Sequence, residues 1–324
     1  MKKVGFITSP LSNANAVRGV GFYTRRLLPE LKKQAVKFGF EIVENDMSAK
    51  IVHYPFFDLF RHTLPIFKSA KTVVTVHDVI PLEFPDHYPP GIKGWFNLQL
   101  QKLALSGVEG VITDSHASVQ AIRKYLSVSH AKIKLIYLAA DEKFKPKKVT
   151  KKYTLPKKFV LYVGDVNWNK NIPGLIKACD QINYPLVIVG KQATEIDKMD
   201  LSHPELKHLK DLDFKNVIRL GFVSDEELVD IYNLASVYCQ PSFAEGFGLP
   251  VLEAMACGTP VACSRTHSLP EIAGPTASYF DPHNTSSMAK AIKSATPKGV
   301  MDQAKNFSWD KTATQTLQVY SEII

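Results

Sequence analysis

A chain of 324 residues with 45% hydrophobic and 22% charged side chains is too long for one ordinary core. It has the make-up of a globular protein of two domains, each of roughly 150 residues, and excludes fibrous or broadly disordered classes. The net charge of +9 is unevenly placed, with 22 Lys/Arg against 12 Asp/Glu in residues 1–150 and 18 against 19 in the rest.

The basic first half suits an anionic neighbour, acidic lipid or a phosphate-bearing acceptor, and equally a solvated surface. No aromatic-and-basic module of a nucleic-acid-binding kind is present, so no nucleic acid partner is expected. The N-terminus turns polar after a few apolar residues, and no run of 18 apolar residues exists. Neither a signal peptide nor a membrane span is expected, and the expected location is cytoplasmic. Cys179, Cys239, Cys257 and Cys263 form no CxxC pair and no zinc-like cluster with histidine, so no metal is expected.

In chain order, residues 4–8 predict a strand and residues 21–38 an apolar-faced helix. Between them, Arg18-Gly19-Val20-Gly21 forms a glycine loop over a helix start. It is not a dinucleotide fingerprint, which needs GxGxxG directly after the strand. Strands follow at 41–45, 51–55, 72–80, 110–113 and 132–138, with a helix capped by Ser115 running through Tyr125. His77-Asp78 falls at the carboxyl end of the strand TVVTV, the ligand side of a parallel sheet. His77 there either contacts a ligand or fixes a loop; His53 and His116 are weaker candidates. Residues 88–105 carry Trp95, Phe96, Leu98 and Leu103 beside Lys93 and Lys102. They form either a core helix or a helix at a membrane surface.

The lysine-rich stretch 141–158, with Pro146 and Pro156, reads as an interdomain linker. The second half then repeats the style of the first. Strands are expected at 159–164, 185–190, 216–223, 237–242 and 260–264. Helices are expected at 172–180, 225–235, 250–257, 286–294 and 309–324. Strands separated by helices predict α/β domains with doubly wound parallel sheets, whose ligands bind beyond the strand carboxyl ends. A cleft between the two halves is the default site.

Two loops carry the chemistry. Gly164 ends one strand and Lys170 approaches a helix start, where it either neutralises a phosphate or is merely solvated. In the run from Pro241 to Val261, Glu245 and Glu253 bracket a glycine loop and a helix start with Pro250 in its first turn. Close backbone approach at glycine and a helix N-terminus together suit a diphosphate. The alternative for Glu253 is a simple complement to the helix dipole.

At these residues the chain resembles the retaining glycosyltransferases of family 4. The Glu-x7-Glu motif falls on Glu245 and Glu253, within GFGLP at 246–250 and EAMACGTPV at 253–261. The G-F-V segment ending at Val223, Pro241-Ser242, SLPE at 268–271, the Gly19/Gly21 loop and the element His77-Asp78-x-x-Pro81 belong to the same pattern.

The resemblance implies a GT-B fold: two Rossmann-like domains facing across a cleft. Residues 1–150 would bind the acceptor, with helix 309–324 packing back on them. Residues 151–308 would bind the donor. It implies that Glu245 sits near the donor sugar and that Phe247, Gly248 and Leu249 hold it and its phosphate through backbone amides. Glu253 would bind the ribose, Lys170 the diphosphate, and Gly164 and Val223 would line the donor site. His77 would lie by the transferred sugar, and Gly19 and Gly21 would border phosphate and acceptor. The donor is then a nucleotide-diphosphate sugar, GDP- or UDP-linked, with no resident cofactor. The acceptor is a glycan or lipid-linked glycan, with peripheral attachment to an anionic membrane. One departure is Asp165, where many members place an arginine. It keeps open a nucleotide-sugar-binding regulatory protein with little transferase activity.

Overall fold

The computed structural model describes residues 1–12, 16 and 18–324. The chain divides into two compact units, Met1–Ala139 with Phe307–Ile324 and Ala140–Asn306. In the first, β1 (Lys2–Phe6), β2 (Phe40–Glu44), β3 (Ile51–Tyr54), β4 (Lys71–Thr75), β5 (Gly110–Thr113) and β6 (Ile133–Leu135) form one parallel sheet ordered β2-β1-β3-β4-β5-β6. Its inner strands are apolar on both faces, as helix-covered parallel strands must be: all four residues of β3 and of β5 are buried. The helices are α1 (Gly19–Ala35), α2 (Ile80–Glu83), α3 (Gly91–Ser106) and α4 (His116–Leu126), with the Ser115 hydroxyl capping α4 at the amide of Ser118.

The second unit holds β7 (Val160–Val163), β8 (Leu186–Val189), β9 (Val217–Leu220), β10 (Val237–Gln240), β11 (Val261–Ser264) and β12 (Ser278–Phe280). Their order, β12-β11-β10-β7-β8-β9, is again all parallel. It reverses between β7 and β10, the switch point of a doubly wound sheet. The helices are α5 (Ile172–Ile182), α6 (Lys191–Glu195), α7 (Asp225–Leu234), α8 (Leu249–Ala256), α9 (Leu269–Ala273), α10 (Thr285–Ser294) and α11 (Val300–Ala304). β12 was not expected from the sequence; its three residues are too few to show a period.

The last helix, α12 (Trp309–Glu322), packs on α1 within the first unit. Tyr320 is fully buried there, and its hydroxyl shares a 2.6 Å hydrogen bond with His53 Nδ1. His53 Nε2 reaches Thr75 Oγ1 at 2.9 Å, and Tyr23 bonds the same hydroxyl at 3.1 Å. Burial pushes the His53 imidazole down to about 3. His53 is thus a neutral core histidine that ties α12 to the sheet.

The division falls after Ala139 rather than near residue 150. The reason is that the lysine-rich stretch is bonded to α7. Lys143 pairs with Asp225, Lys147 with Asp230 at 2.5 Å and Lys151 with Glu227 at 2.7 Å, while Tyr153 donates to Asp230 at 2.6 Å. Counted by unit, the first holds 19 Lys/Arg and 12 Asp/Glu and the second 21 and 19.

Tyr320→Phe leaves the buried His53 Nδ1 without its partner. It is expected to lower stability by about 1–3 kcal/mol, read as a shift in urea midpoint with an unchanged slope. A midpoint equal to that of the wild type would contradict the tie assigned to α12.

Candidate functional site

At its switch point the second unit brings Lys170 and Glu245 together, whereas Val223 lies after the edge strand β9. The loop after β7 carries Gly164 to Asn171; the loop after β10 carries Pro241 to Gly248. The Lys170 Nζ lies 2.7 and 2.9 Å from the two carboxyl oxygens of Glu245. The asparagines on either side of Lys170 clamp one loop to the other. Asn169 Nδ2 donates to the Ala244 carbonyl at 2.9 Å, and the Phe243 amide donates to the Asn169 carbonyl at 2.7 Å. Asn171, left-handed at φ 51°, donates to the carbonyls of Pro241 and Pro282. Gly174 makes room for that amide, since a Cβ there would stand 2.5 Å from Asn171 Oδ1.

Glu245 is 8% exposed and is held from below as well. Its Oε1 accepts from Gln240 Nε2 at 2.7 Å and from the Ser242 hydroxyl at 2.6 Å, and Tyr238 in turn donates to Gln240. Oε1 therefore receives three hydrogen bonds and Oε2 one, from Lys170. The second oxygen keeps accepting capacity for a ligand hydroxyl. The Ser268 hydroxyl bonds the carbonyls of Glu245 and Phe247 at 2.9 and 2.8 Å, fixing the glycine loop from α9.

Gly248 begins α8 at φ 104°, and a Cβ would meet Leu269 Cδ2 at 2.9 Å, so both conformation and space demand glycine. Phe247 is buried, and Leu249 opens the helix with Pro250 behind it. The α8 start has no acidic residue and no side-chain cap, so its dipole and amides face no protein carboxylate of the first turn. Glu253 lies one turn further and is nearly buried, with Tyr232 donating to its Oε2 at 2.9 Å. Burial pushes its carboxyl up to about 7, partly offset by the Tyr232 bond and the charge of Lys143. Burial and the raised carboxyl set Glu253 apart from an exposed, fully ionised complement to the helix dipole.

Gly164 takes φ 145° and lies beside the tip of β8, where a Cβ on Gly190 would stand 2.3 Å from the Gly164 carbonyl. Val223 follows β9 at the sheet edge, half-buried. The Asp165 carbonyl accepts the Tyr162 hydroxyl at 2.6 Å. Arg265, after β11, places its guanidinium 4.8 Å from the Tyr279 ring centroid. All four cysteines are buried free thiols raised by burial, Cys257 to about 12. Among the described residues no group of three or more His, Cys, Asp or Glu is placed to hold a metal ion.

His77, Gly19 and Gly21 belong to the first unit. His77 follows β4 and Asp114 follows the adjacent β5; His77 Nδ1 and Asp114 Oδ2 are 2.5 Å apart. Burial alone would lower the His77 imidazole, but the charge and hydrogen bond of Asp114 outweigh it and raise the group above its ordinary value. The Tyr23 ring meets His77 edge-on at 4.8 Å. His77 Nε2 is itself buried, and the Pro55 backbone adds to Asp114 and Asp78 in favouring the charged ring. Gly19 opens α1, where an added Cβ would meet nothing within 4 Å among the described residues, and Gly21 is buried two residues on.

The sequence reading missed Asp114, Gln240 and Tyr232, and it placed Ser242 and Ser268 in the family pattern without a role. One signal was available: Gln240 is a polar residue ending an otherwise apolar buried strand, the position that faces a ligand in such sheets.

The family described as "Glycosyl transferases group 1" matches residues 142–309, and "Glycosyltransferase Family 4" matches residues 9–144. The O-antigen chain mannosyltransferase B of Escherichia coli is 31% identical over 278 residues, covering 78% of this chain and 71% of that protein. The serotype-specific mannosyltransferase WbdA of the same species is 28% identical over 279 residues, where the match spans about a third of its length, 34%. The crystal structure of Anabaena Alr3699/HepE in complex with UDP and glucose superimposes with a TM-score of 0.68 at 16% identity, covering 99% of this chain and 100% of that one.

Two pH measurements test the site electrostatics. The folded Glu253 keeps a proton that the unfolded chain releases between about 4.5 and about 7. Its contribution to stability is therefore full at low pH and is lost as pH rises through about 7. Glu253→Gln should gain on the wild type across that window by about 3 kcal/mol; parallel stability curves would refute the buried, raised carboxyl. In an NMR titration, His77 should ionise above the usual ~6.5 in the wild type and at lower pH in Asp114→Asn, where only the charge of Asp78 and the Pro55 backbone oppose burial. An unmoved midpoint would detach His77 from Asp114.

Proposed function

The chain belongs to the group 1 glycosyl transferases, and on that premise we propose that it is a retaining enzyme moving a hexose from a nucleotide-diphosphate sugar to a glycan or lipid-linked glycan hydroxyl. The observation that carries this reading is the Lys170–Glu245 pair, set at the switch point of the second unit's sheet and beside the uncapped start of α8. A cation, a helix N-terminus and a carboxyl with one accepting oxygen in hand are the groups that a diphosphate and a sugar hydroxyl require.

Lys170 and the α8 amides take the diphosphate, with charge growing on it as the sugar–phosphate bond breaks. The arriving diphosphate replaces the Glu245 carboxyl as the partner of Lys170. Glu245, still held by Gln240 and Ser242, turns its Oε2 to the sugar. Glu253 accepts from the ribose, a bond that favours its ionised form. The acceptor hydroxyl attacks from the face that the diphosphate leaves, and the departing phosphate oxygen takes its proton. The new glycosidic bond forms as the sugar–phosphate bond breaks, so configuration is kept without a protein nucleophile. His77, oriented by Asp114, is the first unit's candidate for a sugar or acceptor hydroxyl.

Mannose is the sugar favoured, because mannosyltransferases recur among the relatives. GDP is the base to test first, with UDP second, since HepE holds UDP. On this reading the enzyme works on the cytoplasmic side, peripherally attached to the membrane that carries a lipid-linked acceptor.

A thermal-shift panel of GDP, UDP and their hexose conjugates, paired with transfer assays, tests the reading. One diphosphate should stabilise the wild type, and Lys170→Ala should lose that shift. Glu245→Gln should keep or enlarge the shift, because Lys170 is freed from its carboxylate, while transfer falls ~100-fold or more. Silence toward every nucleotide would sink the donor site. Binding without transfer to any acceptor would favour the regulatory alternative that Asp165 leaves open.

A further inference from the structure

The sequence left α3 as either a core helix or an interfacial one. The structure makes it apolar on two opposite faces. Gly94, Leu98, Gln101, Ala104 and Leu105 are buried. Ile92 is 82% exposed, Phe96 58%, Leu103 56%, Trp95 51% and Leu100 37%. At 100° per residue, Ile92, Phe96, Leu100 and Leu103 fall within about 80° of arc, with Trp95 alongside. Lys93 and Lys102 flank this stripe on its two sides, where long stems lie along apolar surface and carry their charge outward. Trp95 and Phe96 meet edge-on at 5.1 Å. A water-soluble surface seldom shows so much contiguous apolar area without a use for it.

The segment packed along α3 extends the same character. Asn97 Nδ2 donates to the Phe60 carbonyl at 2.8 Å, Gln101 Nε2 to Thr63 Oγ1 at 2.7 Å, and Lys68 Nζ to the Ala104 carbonyl at 2.5 Å. Phe67, next to Lys68, is 92% exposed. Residues 59–77 and 87–108 together hold five Lys/Arg (Arg61, Lys68, Lys71, Lys93 and Lys102) and no Asp or Glu. Apolar side chains with an aromatic pair among them, flanked along α3 by Lys93 and Lys102, match one occupant by charge: the headgroup boundary of an anionic bilayer.

We propose that the outward face of α3, with Phe67, docks this chain on an anionic lipid surface, Trp95, Phe96 and Leu103 entering the boundary and Lys93 and Lys102 meeting the headgroups. The proposal rests on the acceptor side of the function above, and supplies it: an enzyme seated this way draws its acceptor from the membrane plane.

The test is co-sedimentation of the full chain with phosphatidylglycerol–phosphatidylethanolamine vesicles and with phosphatidylcholine vesicles. Binding is expected to the first, to weaken with added salt, and to be far weaker to the second. Phe96→Ser with Leu103→Ser should reduce it by about tenfold or more, and Lys93→Glu with Lys102→Glu likewise. Brominated lipid should quench tryptophan emission in the wild type and quench Trp95→Phe much less, which reads insertion without a destabilising change. No vesicle binding by the wild type, binding unaltered in the apolar double variant, or quenching unaltered in Trp95→Phe would each overturn the proposal. So would a dimer in solution that the apolar variant dissociates, since the face would then belong to a second copy. The diphosphate thermal shift on the same samples separates the two readings: its persistence without vesicle binding removes the lipid surface and leaves the donor site standing.

Discussion

A lysine and a glutamate brought from two loops that are neighbours only because the strand order reverses between β7 and β10 hold the second unit's site together. Each would be costly alone in so enclosed a place, and together they satisfy one another. The pairing needs the loops locked in register, and Asn169 and Asn171 supply that lock with backbone carbonyls as partners. Gly174 and Gly248 are then consequences. One leaves room for an asparagine amide and the other turns the chain into α8 against Leu269. The pair is also a poised one, because a ligand anion offers Lys170 the same charge that Glu245 offers.

The two glutamates do different work because their surroundings differ. Glu245 faces a cation and two further donors, so its carboxyl is oriented and nearly saturated on one oxygen. Glu253 has one phenol and burial, and burial dominates. On the proposed reading this asymmetry fits the ligand: a sugar beside a diphosphate wants a fixed acceptor, whereas ribose hydroxyls bring donors that reward ionisation on arrival. The first unit solves a related problem with His77 and Asp114, where a buried carboxyl fixes one nitrogen of a buried ring and favours its charged form.

Much of this was legible in the sequence, for physical reasons that differ by element. Parallel strands covered on both faces must be short apolar runs, so β3, β5, β8 and β10 stood out. Glu245, Glu253 and Lys170 were visible because charged residues among glycines and apolar runs lack a structural excuse. The resemblance to family 4 then joined them into one site, which spacing alone left open. What escaped was whatever depends on partners distant in sequence. Asp114 reads as an ordinary polar residue before a helix cap until β5 is laid beside β4. Ser268 and Tyr232 act through hydroxyls whose targets lie 21 to 23 residues away. The lysine-rich stretch 141–158 has a linker's composition, yet its charges are met by acids of α7, which no local pattern announces.

That last misreading bears on what the basic charge is for. With those lysines neutralised inside the second unit, the first unit's surplus is smaller than the sequence suggests, and where it sits matters more than its size. Along α3 itself, Lys93 and Lys102 stand beside apolar side chains turned outward, and the helix carries no acid. A helix that is apolar on both faces hides from periodicity analysis, because its pattern carries no strong moment. The ambiguity that kept residues 88–105 undecided between core and surface was therefore itself the signal. One face answers to the sheet, and the other is free to answer to something outside the chain.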